Sequence, residues 1–156
     1  MMTQDAFRQL IAELTATIAG RPLDAALDIE LNTRYPPDSD AFRRIQAACQ
    51  SGIAAGWMCS REAGGIRYGR VVKPTLATHD FSVDVVEMDD VVGPLHAHPN
   101  GEIDVVMPLD PGARFDGRGA GWAVYGPGSA HSPTVTGGRA WVMYLLPGGA
   151  IEFLKA

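Results

Sequence analysis

The pattern of hydrophobic and polar positions divides the chain near residue 56. Over residues 3–19, apolar side chains recur every three or four positions, which predicts an amphipathic helix. Thr3 is a suitable N-cap for this helix, and Gly20 is a suitable residue at its end. The predicted buried face comprises Phe7, Leu10, Ile11, Leu14 and Ile18.

Two further helices are predicted in the same part of the chain. Residues 24–31 indicate a short second helix. The segment 34–40 reads RYPPDSD, and its paired prolines exclude a helix because they fix φ and lack N–H donors. A third helix is predicted from a cap at Asp38 or Ser39 to about residue 51.

Beyond residue 56 the apolar residues form short β-rich runs, separated in most cases by glycine and proline turns. Such spacing is typical of a β-sandwich or barrel. Nothing between residues 50 and 66 resembles a long linker. We therefore expect a single domain over 1–156, in which the helical segment 1–56 packs on the β part, 57–156.

Composition narrows the class of protein. Hydrophobic residues make up 46% of the chain, which predicts a globular fold. The net charge is −5 with no basic block, so a nucleic-acid partner is not expected. No apolar run approaches the roughly 20 residues of a membrane helix, and the N-terminus lacks the features of a signal peptide. We expect a cytoplasmic protein in which Cys49 and Cys59 are reduced thiols.

The segment GPLHAHPNGEID, residues 93–104, carries the strongest chemical signal. His96 and His98 are two positions apart, so both side chains point to the same side of a strand. The turn that follows them can fold Glu102 back beside the histidines. Asp104 would share the face of Glu102 if the next strand begins at that glutamate.

A shared divalent metal ion would satisfy this group of buried polar side chains. Imidazole and carboxylate ligands suit Fe, Mn, Ni, Co or Zn, and two histidines with one carboxylate leave positions open for water or substrate. His131 lies near this scheme, after a Gly-Pro-Gly turn. His79 lies outside it, and we expect a surface or loop position for that residue.

Two motifs resemble those of the cupin superfamily. HAHPNGE, residues 96–102, is similar to the first cupin motif, and PGSAH, residues 127–131, is similar to the second. The resemblance covers roughly residues 66–155. It implies a mainly β fold, a jelly-roll β-barrel preceded here by the α-helical N-terminal segment. It also implies one metal ion bound by His96, His98, Glu102 and His131.

Two turns depart from the usual cupin pattern. The first motif normally closes with a glycine six residues after the glutamate, whereas here Gly112 comes later. In the second motif Pro127 directly precedes Gly128, where one residue usually separates them. Both departures change turns and leave the four ligand positions intact.

A closer resemblance extends over most of the chain. RYGRVVKP, GARFDGRGAGWAVYGPGSAHSPTV and YLLPGGAIEF are similar to segments of the 4-hydroxylaminobenzoate lyase type of small cupin-like protein. The resemblance implies a lyase that converts 4-hydroxylaminobenzoate to 3,4-dihydroxybenzoate and ammonia in nitroaromatic degradation. Two alternatives stay open: another metallo-cupin enzyme such as a dioxygenase, and a non-catalytic cupin that binds a small acid.

This chemistry suggests roles for further residues. Asp104 and Tyr144 are candidates for proton transfer if their strands point them inward, although structural roles are also consistent with their positions. A benzoate-type substrate needs a cation for its carboxylate. Arg67, Arg70 and Lys73 cannot all face inward from one regular strand.

Arg70 is the preferred carboxylate ligand, because a guanidinium can donate two parallel hydrogen bonds to a carboxylate. Tyr68 shares its face and could flank an aromatic ring. Trp122 and Trp141 are candidates for the cavity wall, or otherwise for the core. From the resemblance and from the need to cover exposed sheet edges, we also expect a homo-oligomer, in particular a homodimer.

Overall fold

A computed structural model describes residues 2–155 of the chain. Its N-terminal part contains three helices, α1 (Gln4–Ala16), α2 (Ala25–Arg34) and α3 (Asp40–Ala55). The predicted cap at Thr3 is confirmed, because the Ala6 N–H donates to Thr3 Oγ1 over 3.0 Å. None of the helices in this described part combines the length and hydrophobicity needed to cross a bilayer.

The helix boundaries differ from the prediction at their C-terminal ends. Helix α1 ends before residue 19, because the Thr17 N–H donates to the Leu14 carbonyl and the Ile18 N–H donates to the Thr15 carbonyl, which closes the last turn. Helix α3 continues past residue 51 and stops at Gly56, which has a φ of +87°. A left-handed residue of this kind ends a helix at little steric cost when it is glycine.

Ten strands follow the helices within residues 2–155. In chain order they are β1 (Arg61–Ala63), β2 (Ile66–Val72), β3 (Phe81–Val92), β4 (His96–His98), β5 (Glu102–Pro108), β6 (Arg114–Phe115), β7 (Gly121–Tyr125), β8 (Ser129–His131), β9 (Thr134–Pro147) and β10 (Glu152–Phe153). Residues 134–136 and 139–147 belong to one strand, β9. Gly137 and Gly138, with φ of +79° and +132°, carry the backbone between them.

The strands form two antiparallel sheets. The large sheet has the order β1-β2-β3-β9-β5-β7 with β6 also paired to β9, and the small sheet has the order β10-β4-β8. The fold is therefore mainly β and jelly-roll-like, as the cupin resemblance implies. One feature of that prediction is wrong: no ladder joins the two sheets within residues 2–155, so the strands do not close into a barrel.

The two faces of the large sheet have different partners. One face packs on the helices, and its cluster contains residues of all three helices together with Val83, Val85, Ile103 and Val105. The alternate positions of the same strands, including Val86 and Tyr144, form a second cluster on the opposite face. The small sheet lies over that second face. Because successive side chains of a strand point to opposite faces, the same strands supply the core under the helices and the surface that faces the candidate site.

Helix α2 covers the outer edge of the large sheet at β7. Asn32 donates to the Trp122 carbonyl and accepts from the Trp122 N–H, each over 2.8 Å. The Val124 N–H donates to Asp28 Oδ2 over 2.9 Å. Side chains of the helix thus take the hydrogen bonds that a further strand would take, which protects this edge from pairing with other chains.

Candidate metal centre

The four motif residues come from three neighbouring segments of backbone. His96 and His98 form the ends of β4, Glu102 begins β5, and His131 ends β8 directly opposite His96. The predicted turn between the histidines and the glutamate is present and requires Gly101. That residue has a φ of +86°, and a Cβ there would lie 2.8 Å from the Tyr125 carbonyl oxygen.

The side chains of these four residues converge. One potential ligand atom from each lies within 4.8 Å of the others. Glu102 Oε2 is 3.2 Å from His98 Nε2 and 3.7 Å from His131 Nε2, and Glu102 Oε1 is 3.8 Å from His96 Nε2. The glutamate is fully buried, and the most accessible member, His131, has only 14% of its side chain exposed.

The outer nitrogen of each imidazole is held by an oxygen acceptor. His96 Nδ1 is 3.3 Å from the Pro94 carbonyl, and His131 Nδ1 is 2.6 Å from Asp116 Oδ2. His98 Nδ1 is 3.0 Å from Ser129 Oγ, whose own proton is donated to the Gly126 carbonyl. Each Nδ1 therefore carries a proton, and in a neutral ring the lone pair lies on Nε2.

These atoms suit a cation. The three Nε2 atoms and both Glu102 oxygens are buried and have no hydrogen-bond partner among the described residues. Five electron-rich atoms that face one another without donors are costly unless a positive charge lies between them. The donor set of imidazole nitrogens and one carboxylate matches divalent Fe, Mn, Co, Ni or Zn. The residues present thus fit a single divalent metal ion.

A second buried carboxyl group lies beside this cluster. Asp104 is fully buried, and neither of its oxygens has a hydrogen-bond partner in the described chain. Burial, followed by the nearby charge of Glu102, raises the pKa of Asp104 well above its ordinary value. Burial acts on Glu102 in the same direction, but the adjacent His96 and His98 imidazoles outweigh it and lower the pKa of that glutamate.

Asp116 is a site residue that the sequence did not reveal. Its Oδ2 lies 2.6 Å from His131 Nδ1 and accepts the hydroxyl of Tyr125 over 2.7 Å. The Thr134 N–H donates to the other oxygen over 2.9 Å. The DG turn at 116–117 indicates a loop, but nothing in its spacing shows that it returns to a histidine 15 residues later.

A cavity of about 640 Å³ opens beside the cluster. His96 and Tyr144 form part of its wall, and their ring centroids are 6.4 Å apart. Tyr144 is buried, and burial raises its pKa. Asp104 is the register partner of Tyr144 on the neighbouring strand, and it lies behind the cavity wall rather than among the lining residues.

Two of the predicted substrate-binding residues line the same cavity. Tyr68 and Arg70 project from one face of β2 into it. Arg70 does not have all its donors free. Its Nε donates to Asp84 Oδ1 over 2.8 Å, and its Nη2 donates to the Gly149 carbonyl over 3.1 Å. Nη1 has no acceptor within the described part of the chain.

The two tryptophans do not line this cavity, so the prediction for Trp122 and Trp141 needs correction. Trp122 is the register partner of Val105 and packs in the cluster shared with the helices. It is 1% exposed, and its indole N–H donates to the Tyr35 carbonyl over 2.9 Å. Trp141 also packs against that cluster. Successive side chains of a strand point to opposite faces of the sheet, so both tryptophans lie on the face that packs on the helices, away from the cavity.

The remaining histidine lies apart from the cluster. His79 is in the turn before β3, and its Nδ1 is 2.9 Å from Thr15 Oγ1 of α1. This position confirms the expected loop location.

Solved structures with weak overall similarity to this chain include the following two proteins. An RmlC-like cupin protein from Ralstonia eutropha gives a TM-score of 0.47 at 10% identity, with 62% of this chain and 64% of that chain covered. An oxalate oxidase gives a TM-score of 0.47 at 19% identity, with 61% and 58% covered. The fold described above depends on the strand topology of this chain and not on these similarities.

Sequence comparisons are more specific. The family model described as PnbB, 4-hydroxylaminobenzoate lyase, matches residues 9–153. A 4-hydroxylaminobenzoate lyase of Pseudomonas putida is 32% identical over 170 residues, covering 98% of this chain and 97% of the relative. One of Nocardioides sp. is 34% identical over 158 residues, covering 96% and 91%. The chain therefore belongs to the 4-hydroxylaminobenzoate lyase family and is an enzyme of the lyase class.

Proposed function

We propose that this chain converts 4-hydroxylaminobenzoate and water to 3,4-dihydroxybenzoate and ammonia. The observation that carries the proposal is the convergence of one carboxylate and three imidazole Nε2 atoms that lack hydrogen-bond partners in the described chain, beside a cavity of about 640 Å³. Membership of the lyase family supplies the substrate. The reaction balances with one water consumed and one ammonia released, and it requires no external oxidant.

We further propose that His96, His98, Glu102 and His131 hold one divalent metal ion. When bound, such an ion supplies Lewis acidity toward an oxygen of the substrate. The protein contributes the orientation of the ligands: the Pro94 carbonyl, Ser129 and Asp116 each hold one imidazole so that its Nε2 faces Glu102. No metal in the set Fe, Mn, Zn, Ni and Co is favoured over the others by these donors.

We assign proton transfer to residues on the face of the large sheet that points away from the helices. The hydroxylamino oxygen must leave as water, which requires a proton. One water then adds to the ring beside the nitrogen and a second displaces the nitrogen as ammonia, and each of these waters must lose a proton. Tyr144 lines the cavity next to His96 and carries a hydroxyl proton, so it is the proposed group in contact with substrate. Asp104 lies directly behind Tyr144 on the adjacent strand and is proposed to exchange protons with the site from there.

We propose that Arg70, at the end of the cavity away from His96 and Tyr144, orients the substrate. Arg70, Asp84, Tyr144 and Asp104 are successive register partners across four strands. Neighbouring strands are about 4.8 Å apart, so the backbones of the cavity-lining residues Arg70 and Tyr144, two strands apart, are separated by roughly 10 Å. This separation suits a para-substituted benzoate whose carboxylate accepts from Arg70 Nη1. Tyr68 projects beside that path and is proposed to contact the aromatic ring.

The test is turnover without oxygen. Purified protein, loaded in turn with each candidate metal, is incubated anaerobically with 4-hydroxylaminobenzoate. We expect 3,4-dihydroxybenzoate and ammonia in equimolar amounts, and with ¹⁸O-labelled water we expect label in the oxygens introduced into the product. Turnover that requires and consumes molecular oxygen would support a dioxygenase instead. Tight binding of benzoates with no turnover in any metal form would support the non-catalytic binding protein.

A further inference from the structure

Among the described residues, three charged side chains line the cavity apart from the metal cluster. They are Arg61, Arg70 and Asp84. The net charge of these three side chains decides whether this end of the cavity attracts an anion. Apart from His96, the other described lining residues have neutral side chains. The proposed function uses only Arg70 for this purpose, and the structure indicates that Arg70 alone is not sufficient.

The charge of Arg70 is already compensated within the protein. Its Nε lies 2.8 Å from Asp84 Oδ1 and its Nη2 lies 3.5 Å from Asp84 Oδ2. The Gly149 carbonyl accepts a further hydrogen bond from Nη2. The guanidinium is thus held in place and retains directed donors on Nη1, but the Arg70–Asp84 pair has no net charge to offer a ligand.

Arg61 is the uncompensated cation of this cavity. It has no ion pair and no side-chain hydrogen bond to any of residues 2–155. On β1 it is the register partner of Tyr68, and directly opposed residues point to the same face of a sheet. Tyr68 and Arg70 are two positions apart, which makes Arg61 a diagonal neighbour of Arg70 at about 7–8 Å between Cα atoms.

We propose that Arg61 is a second carboxylate-binding residue and supplies the net positive charge that selects aromatic monocarboxylates. Arg70, held in place by Asp84, donates a directed hydrogen bond to the carboxylate, and Arg61 supplies the electrostatic attraction for its negative charge. The carboxylate then lies at the β1–β2 end of the cavity and the reactive para substituent lies at the end formed by His96 and Tyr144. The identity of the substrate rests on the proposed function, whereas the preference for an anion does not.

Equilibrium binding tests this assignment without turnover. The full-length protein is titrated with 4-hydroxybenzoate and with its neutral counterpart 4-hydroxybenzamide, which differ in the carboxylate alone. We expect Arg61→Gln to weaken binding of the anion about tenfold, the loss typical of one charge-assisted contact, and to leave the amide unchanged. Arg61→Lys keeps the charge and should retain most of the preference.

Arg43 gives the matched control. It is an exposed arginine on α3 without an ion pair in the described structure, so Arg43→Gln makes the same change in net charge far from the cavity. This variant should bind both ligands like the wild type. Equal losses in Arg61→Gln and Arg43→Gln would overturn the proposal and indicate only a long-range charge effect.

Other outcomes separate this inference from the proposed reaction. Wild-type protein that binds the anion and the amide equally, or Arg61→Gln that retains the wild-type preference, would refute the role of Arg61 whether or not 4-hydroxylaminobenzoate is turned over. A wild-type preference for the anion that Arg61→Gln removes, without any lyase activity, would refute the proposed reaction and leave the role of Arg61 established.

Discussion

At the scale of single residues, the site depends on hydrogen bonds that leave lone pairs facing inward. Each histidine of the cluster is held at Nδ1, and each Nε2 is left without a partner in the described chain. Strand spacing predicts that His96, His98 and Glu102 lie together, and the cupin resemblance adds His131 as the fourth member of the set. It does not predict Asp116 or Ser129, because their contacts depend on how distant loops return to the strand.

Asp116 gives the first prediction at this scale. Asp116→Asn keeps a residue that tolerates the φ of +49° but removes the negative charge held against His131. We expect metal affinity to fall about tenfold, as for other carboxylates behind a ligating histidine. The measurement is competition with a chelator of known affinity. Asp38→Asn, on an exposed loop, is the control, and equal affinity in both variants would contradict the role of Asp116.

The cysteines give a second prediction. Cys49 and Cys59 are free and buried, and burial raises the pKa of Cys59 to about 12 and that of Cys49 further. Because a raised pKa keeps a thiol protonated below that pH, neither group is a thiolate at pH 8. We expect iodoacetamide to label no cysteine at pH 8 in the folded protein and both after denaturation. Rapid labelling of the native protein would contradict this burial.

At the scale of elements, the sequence predicted the helices better than the strands. The 3.6-residue period and the caps located all three helices, and their apolar faces pack on the large sheet as expected. Residues 57–62, WMCSRE, lie at the start of the predicted β part, yet only Arg61 and Glu62 among them belong to a strand, and Cys59 has a φ of +54°. Side-chain composition alone does not reveal such a left-handed turn.

The docking of α2 on β7 gives the prediction for this scale. Asn32→Ala leaves the N–H and carbonyl of Trp122 without their helix partners. We expect the free energy of unfolding to fall by about 1–3 kcal/mol, measured by urea denaturation. Thr33→Ala, an exposed change on the same helix, should cost much less, so equal effects of the two substitutions would be inconsistent with edge protection.

At the scale of the whole molecule, the helices and the large sheet share one hydrophobic cluster. This shared cluster supports the prediction of a single domain, which unfolding can test. We expect one cooperative transition in urea, with coincident curves from tryptophan fluorescence and far-ultraviolet circular dichroism. Two separated transitions would instead indicate that the helical segment 1–56 unfolds independently. The expected homodimer stays a prediction from the resemblance and from the exposed edge strands.

The account depends most directly on a metal ion bound by the four motif side chains. Elemental analysis of purified wild-type protein, after loading with each candidate metal and gel filtration, should give about one ion per chain for at least one metal. His96→Ala and His131→Ala should each retain less than about a tenth of it. His79→Ala, which alters the histidine outside the cluster, should retain the wild-type amount. Equal metal content in all four proteins would contradict the proposed centre.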